Sequence, residues 1–350
     1  TSISLILVLG LILFSNTALA SDSGVNMTEP EYDNQEEVYI VSNLTELNWI
    51  RKAPKEDYKL TSDINATPTE NWNSGKGWKP IGEENYEFYG TLDGNEYAIH
   101  NLTIDRREDK VGLIGITGSG SVIKDLELIN FSIQEGFEAT GSLVGEDYGV
   151  IEDVSVKGEL KGDNSVVGGV VGENSEGELI NVHSIIDIDG EYYDGIGGLV
   201  GDNGFNAIIN SSSSGEISVT GDIVGGIAGR AYGPISNSNS SVNITADNMV
   251  GGLIGEKEGG VLENSFSTGQ VTGKEEVGGL VGINREQPIR NSYSTSEVSG
   301  TRSVGGLVGY NDGEIKRSYS VGNVTGETYA GGLVGWNVGI VESSFWNTET

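Results

Sequence analysis

The chain of 350 residues carries 54 glycines, six prolines, no cysteine, and 20 basic against 52 acidic side chains, for a formal charge of -32. The missing cysteine excludes disulfide staples, thiolate zinc sites and cysteine nucleophiles, and so negative a surface repels phosphate backbones and anionic lipid, which excludes nucleic acid as a partner. Glycine at about twice its usual ~7% share without a three-residue period or abundant proline excludes collagen.

Leu5 to Phe14 is almost unbroken aliphatic and is followed by Ser-Asn-Thr-Ala-Leu-Ala20. That core is shorter than the ~20 residues a bilayer span needs, but it suits a secretory signal over 1–20 cut after Ala20, leaving no transmembrane span in the mature chain. An acidic linker is expected over 21–36, then an N-terminal cap with the first coils over 37–105. Within it Val38 to Val41 reads as a strand. Asn43 with Glu46 three residues on reads as a helix start, and Leu44, Leu47 and Ile50 fall on one helical face. Such a helix would cover the open end of a stack and protect its pairing edges.

From 106 to 350 a pattern recurs nine times, ending at Gly115, Gly145, Gly172, Gly201, Gly229, Gly255, Gly282, Gly309 and Gly335, as in Val277-Gly-Gly-Leu-Val-Gly282. Each copy leads through a polar turn to a second segment, such as Ile289-Arg-Asn-Ser-Tyr-Ser294, and a third, such as Glu297-Val-Ser-Gly300. Three short β-rich segments every ~27 residues describe one coil of a right-handed parallel β-helix. At ~4.8 Å per coil the stack would be a rod on the order of 50 to 60 Å long. Three glycine columns hold 25 of the 54 glycines, with Val111 and Ser142 as departures. Their cost of roughly 0.5–1 kcal/mol each in a strand implies that the geometry demands them, through a positive φ or a close backbone approach. A second column reads Asp125, Asp153, Asn181, Asn210, Asn237, Asn264 and Asn291, then Arg317 and Ser343. It predicts a corner where asparagine tolerates turn conformations.

The Gly-Gly-Leu-Val-Gly core, with Asn-Ser-Tyr-Ser and Val-x-Gly behind it, resembles the GLUG motif repeat of secreted and cell-surface proteins of bacteria and archaea. Tyr58 to Ile64, Trp78 to Gly82, Phe88 to Asn95 and Ile99 to Leu102 resemble the lead-in that precedes such repeats. The resemblance implies an adhesin-like architecture, a secreted or cell-surface location, and no catalytic motif, since these repeats accompany adhesins and also sit beside peptidase domains.

The residues themselves offer little catalysis. His100 and His183 are isolated, no HExxH, nucleophile elbow or P-loop lysine is present, and no cofactor is implied. Asp187-Ile-Asp189-Gly190 has oxygens for calcium but lacks the ligand set of a calcium loop. If Val154 and Val156 point inward, alternation puts the intervening column outward: Glu127, Ser155, His183, Ser212, Asn239, then Phe266, Tyr293, Tyr319 and Phe345. Those four rings form a candidate binding ladder for cell-surface glycans or other surface proteins, or they stack on one another as a structural ladder. N-x-Ser/Thr sequons stand at Asn26 and Asn43, and as glycosylation candidates at Asn65, Asn101, Asn130, Asn210, Asn239, Asn243 and Asn323. The expected function is a non-enzymatic exported rod for adhesion or matrix contact. The alternatives are a β-helical polysaccharide-active enzyme, for which Arg290, Arg302, Lys316 and Arg317 are the basic residues to inspect, and a passive stalk of a larger surface protein or peptidase. The charge points to a salty habitat, where a Debye length near 3 Å at 1 M salt quiets self-repulsion. The melting temperature is therefore expected to rise from low to molar NaCl, and a flat or falling one would contradict that reading.

Overall fold

A computed structural model describes residues 25–134, 136–164, 166–192 and 195–348, so the expected signal segment lies outside the described residues. Strands of successive repeats pair in parallel and in register, as in Val224↔Val250↔Val277↔Val304 and Ile254↔Val281↔Val308↔Val334. Among the described residues this gives one 25-stranded sheet and two nine-stranded sheets, the faces of a parallel β-helix.

The N-terminal end is closed as the sequence implies. Val38–Val41 is a strand, and α1 spans Leu44–Trp49. Asn43 Oδ1 accepts from the backbone N–H groups of Thr45 and Glu46 at 3.0 and 3.1 Å, while Glu46 reaches back to Ser42 N–H at 2.7 Å. Leu44, Leu47 and Ile50 are buried, so the amphipathic face drives the helix onto the stack. The end of the acidic stretch is also folded, since Glu31–Asp33 pairs antiparallel with Val38–Val41.

None of the 25 column glycines has a positive φ; close approach explains them. A Cβ on Gly278 would lie 1.9 Å from the Val281 carbonyl oxygen, one on Gly282 2.5 Å from that of Gly255, and one on Gly279 2.2 Å from that of Gly306. The middle column faces serines of the opposite sheet. Ser184 and Ser320 donate to the Gly198 and Gly332 carbonyls at 2.7 Å, and Ser213 and Ser267 donate likewise to Gly226 and Gly279. The Gly-Gly pair and the last serine of Asn-Ser-x-Ser are thus two halves of one narrow interior. The preceding serine bridges coils. Ser238 Oγ accepts from Ser211 N–H at 3.2 Å and donates to the Ser236 carbonyl at 2.9 Å. Val111 is not a glycine replacement, because its register partner is Thr140, which in turn pairs with Val167. It is buried in the core, and the first copy is one residue short.

The Asp/Asn column has φ between 48° and 56° at all nine positions, Arg317 and Ser343 included. Another left-handed column, Ile223, Met249, Glu276, Ser303 and Tyr329, shares no residue type. A third feature runs inside the second corner, two residues after each closing glycine: Thr117, Asp147, Asn174, Asn203, Ala231, Lys257, Asn284, Asn311 and Asn337. The first eight are buried. Where asparagines follow one another, each amide donates to the Oδ1 of the next coil, Asn174 to Asn203, Asn284 to Asn311 and Asn311 to Asn337, all at 2.7 Å. This polar spine satisfies groups that would otherwise be costly in an apolar core.

Candidate functional site

Strand alternation places the four rings outward and in register, Phe266↔Tyr293↔Tyr319↔Phe345. Phe266 and Tyr293 lie parallel at 4.9 Å and 4°, and Tyr293 and Tyr319 at 5.0 Å and 3°. Three of the rings therefore spend their faces on one another, a contact worth ~0.5–1.5 kcal/mol per pair, and present edges and phenol oxygens to solvent. Exposure rises toward the end, to 41% at Tyr319 and 68% at Phe345. The neighbouring column contributes Arg317, whose Nε donates to Asn291 Oδ1 at 2.8 Å. Arg290 pairs with Glu314 at 3.6 Å, and Lys316 with Glu314 at 3.3 Å and Glu342 at 2.8 Å. Arg302 belongs to another sheet. There it pairs with Glu275 at 3.2 Å and lies 5.8 Å over the Trp336 ring.

The third sheet carries an aromatic group that alternation in the first column does not reveal, joined by Tyr329 from the sheet of Arg302. Trp336 follows Tyr310 in register, with centroids 6.3 Å apart, and Tyr329 approaches Trp336 to 4.8 Å. In earlier coils the same outward column is ionic, linking Asp202, Arg230 and Glu256 at 2.8 and 3.7 Å, with Arg285 from the following turn reaching Glu256 at 2.6 Å. The last coils thus carry aromatic side chains beyond the ladder face.

His183 lies between Ser155 and Ser212 in register, with Nδ1 2.8 Å from Ser212 Oγ and Nε2 3.1 Å from Asn181 Oδ1. His100 Nε2 is 4.0 Å from Asp63. Among the described residues no three His, Asp or Glu side chains are grouped to hold a metal, Asp187 and Asp189 included. A concavity of about 780 Å³ lies between the lead-in and the first coils. Tyr89, Tyr148, Glu84, Glu87 and Asp109 are in its wall, beside Lys110, which draws Glu138, Glu146 and Glu173 to 3.4, 3.3 and 3.6 Å. Burial lowers the affinity of Lys110 for its proton, but the three carboxylates outweigh it and hold the amine protonated. Of the sequon asparagines, Asn65, Asn130, Asn210, Asn243 and Asn323 are exposed, and Asn101 and Asn239 are half-buried.

The GLUG motif matches residues 300–325, and the chain carries that motif as a repeat. Halomucin of Haloquadratum walsbyi is 38% identical over 167 residues, 45% of this chain and 2% of halomucin. A protein of Evansella cellulosilytica described as a Gly-rich membrane protein is 35% identical over 128 residues, 35% of this chain and 15% of that one. The chain therefore spans only a small part of these relatives' length. Among solved structures, an IgA1 protease covers 75% of this chain at 19% identity and a TM-score of 0.46, with 21% of its own length matched. A Bacteroides ovatus chain described as an immunoglobulin A1 protease covers 92% at 16% identity and a TM-score of 0.47, with 88% of its own length matched.

Proposed function

We propose, taking the protein as a GLUG-motif repeat chain, that it is a non-enzymatic rod of the cell exterior whose flat faces make adhesive or matrix contacts with glycans or other surface proteins. The observation that carries this reading is the unbroken in-register outward ladder of Phe266, Tyr293, Tyr319 and Phe345. A repeated flat strip suits a repeating polymer, since each coil offers the same group one strand spacing further on. The relatives agree in kind, one being a mucin by name and the other a membrane protein.

A glycan array read with the wild type and with Tyr293→Ser/Tyr319→Ser tests the ladder. Binding is expected to fall at least tenfold, while the lost ring contacts lower stability by about 1–2 kcal/mol. Unchanged binding with lowered stability would assign the rings to structure alone.

A further inference from the structure

We infer that Asp147 is a neutral, protonated carboxyl that serves as the second rung of the inner polar spine, after Thr117, its Oδ2–H donating to Asn174 Oδ1. The inference stands apart from the functional reading and rests on the spine's directionality. Asn174, Asn284 and Asn311 each give a side-chain N–H to the Oδ1 of the following coil. Asp147 occupies the same position one coil before Asn174, in register with it. Its Oδ1 already accepts from Thr117 Oγ1 at 2.5 Å and from Gly149 N–H at 3.2 Å.

Oδ2 is buried and has no hydrogen-bond partner as a bare acceptor. It points to where Asn174 Oδ1 also points. A Cβ placed on Gly177 would lie 2.0 Å from Asp147 Oδ2 and 2.6 Å from Asn174 Oδ1. Asn174 Oδ1 accepts from Gly177 N–H at 2.7 Å, which leaves it a second lone pair, and two acceptor oxygens facing one another, one of them charged, repel. A proton on Oδ2 converts the pair into the same donor-to-acceptor contact found at the other rungs.

Among the described residues nothing charged compensates an ionised Asp147. On its own strand Glu146 is taken up by Tyr148 and Lys110 at the surface. From the preceding coil Thr117 approaches, and from the following one Asn174 and Gly177, all uncharged. Glu173 is engaged by Lys110, and Glu176 is exposed. Burial accordingly raises the carboxyl above its ordinary value, against the opposing pull of the Thr117 hydroxyl and the Gly149 and Tyr148 N–H groups. Since the folded-state value is the raised one, the stability this rung supplies is complete below the ordinary carboxylate range and is lost as pH rises through the folded value. Thr117 and Tyr148 also line the large cleft, so loss of the proton loosens its floor.

Asp147→Asn tests the assignment, because an amide can make both contacts without a proton. Thermal unfolding of wild type and variant should coincide near pH 4, with the variant increasingly the more stable toward pH 9. Isotope-edited infrared spectra at neutral pH should show a protonated-carboxyl band in the wild type that the variant lacks. A wild type more stable than Asp147→Asn at pH 9, or no such band at neutral pH, would overturn the inference.

Discussion

Lys257→Asn is expected to stabilise the protein by about 2–3 kcal/mol at pH 7. Lys257 occupies a rung of the polar spine, is 1% exposed, and makes one hydrogen bond, Nζ to the Gln287 carbonyl at 2.8 Å. Burial alone pulls its amine from 10.5 down to about 7. A displacement of that size corresponds to roughly 4–5 kcal/mol of folding free energy lost near neutral pH. The next rung, Asn284, has a buried Oδ1 with no hydrogen-bond partner among the described residues. An amide at 257 would supply that bond, worth ~1 kcal/mol, and remove the buried amine. The lost aliphatic stem offsets about 2 kcal/mol, and the lost Nζ bond to the Gln287 carbonyl about 1 kcal/mol more. Because the folded-state value is lowered, the unfolded chain binds the extra proton between about pH 7 and 10.5, and wild-type stability rises with pH across that window. Urea unfolding should therefore show the variant's advantage shrinking from pH 7 to pH 10. An advantage independent of pH would mean that the amine is not the cause.

Gly279→Val should destabilise by about 3–5 kcal/mol, against less than about 0.5 kcal/mol for Thr272→Val, compared by the same denaturation. A side chain at 279 meets the Gly306 carbonyl oxygen at 2.2 Å and Ser294 Oγ at 2.4 Å. Both belong to packed neighbours, one of them backbone, so the coil must open to admit it. Thr272 is exposed on a strand, where a β-branched residue is at home. Equal losses would show that the glycine column is not held by close approach.

The repeat period, the three glycine columns and the left-handed corner at Asn181, Asn210, Asn237, Asn264 and Asn291 were legible because their chemistry repeats as their geometry does. The column through Ile223, Met249, Glu276, Ser303 and Tyr329 has the same backbone conformation without a shared side chain, and so leaves no trace in sequence. The polar spine left a faint one. Asparagine recurs two residues after the closing glycine, yet each copy reads as part of a polar turn, and burial is what separates a rung from a turn residue. Asp147 and Lys257 look like ordinary surface charges until the stack encloses them. For the aromatic ladder, alternation gave the outward direction of Phe266, Tyr293, Tyr319 and Phe345. Whether rings face ligand or each other depends on side-chain torsions that no pattern of residue types encodes. The Tyr310, Trp336 and Tyr329 group was hidden because its members come from two sheets.

The absence of cysteine from the chain makes the stacking register open to direct measurement. Thr272 and Ser299 are Cα partners on adjacent coils, with side-chain oxygens 3.1 Å apart, and Ser299 pairs in turn with Thr325 one coil further on. Thr272→Cys/Ser299→Cys should close a disulfide under mild oxidation, since partners one strand apart fall within the ~4.4–6.8 Å Cα separation a disulfide spans. Thr272→Cys/Thr325→Cys, two coils apart, should stay reduced. Closure in the first pair alone is the result expected of one coil per repeat; failure of the first pair, or equal closure in both, would contradict it.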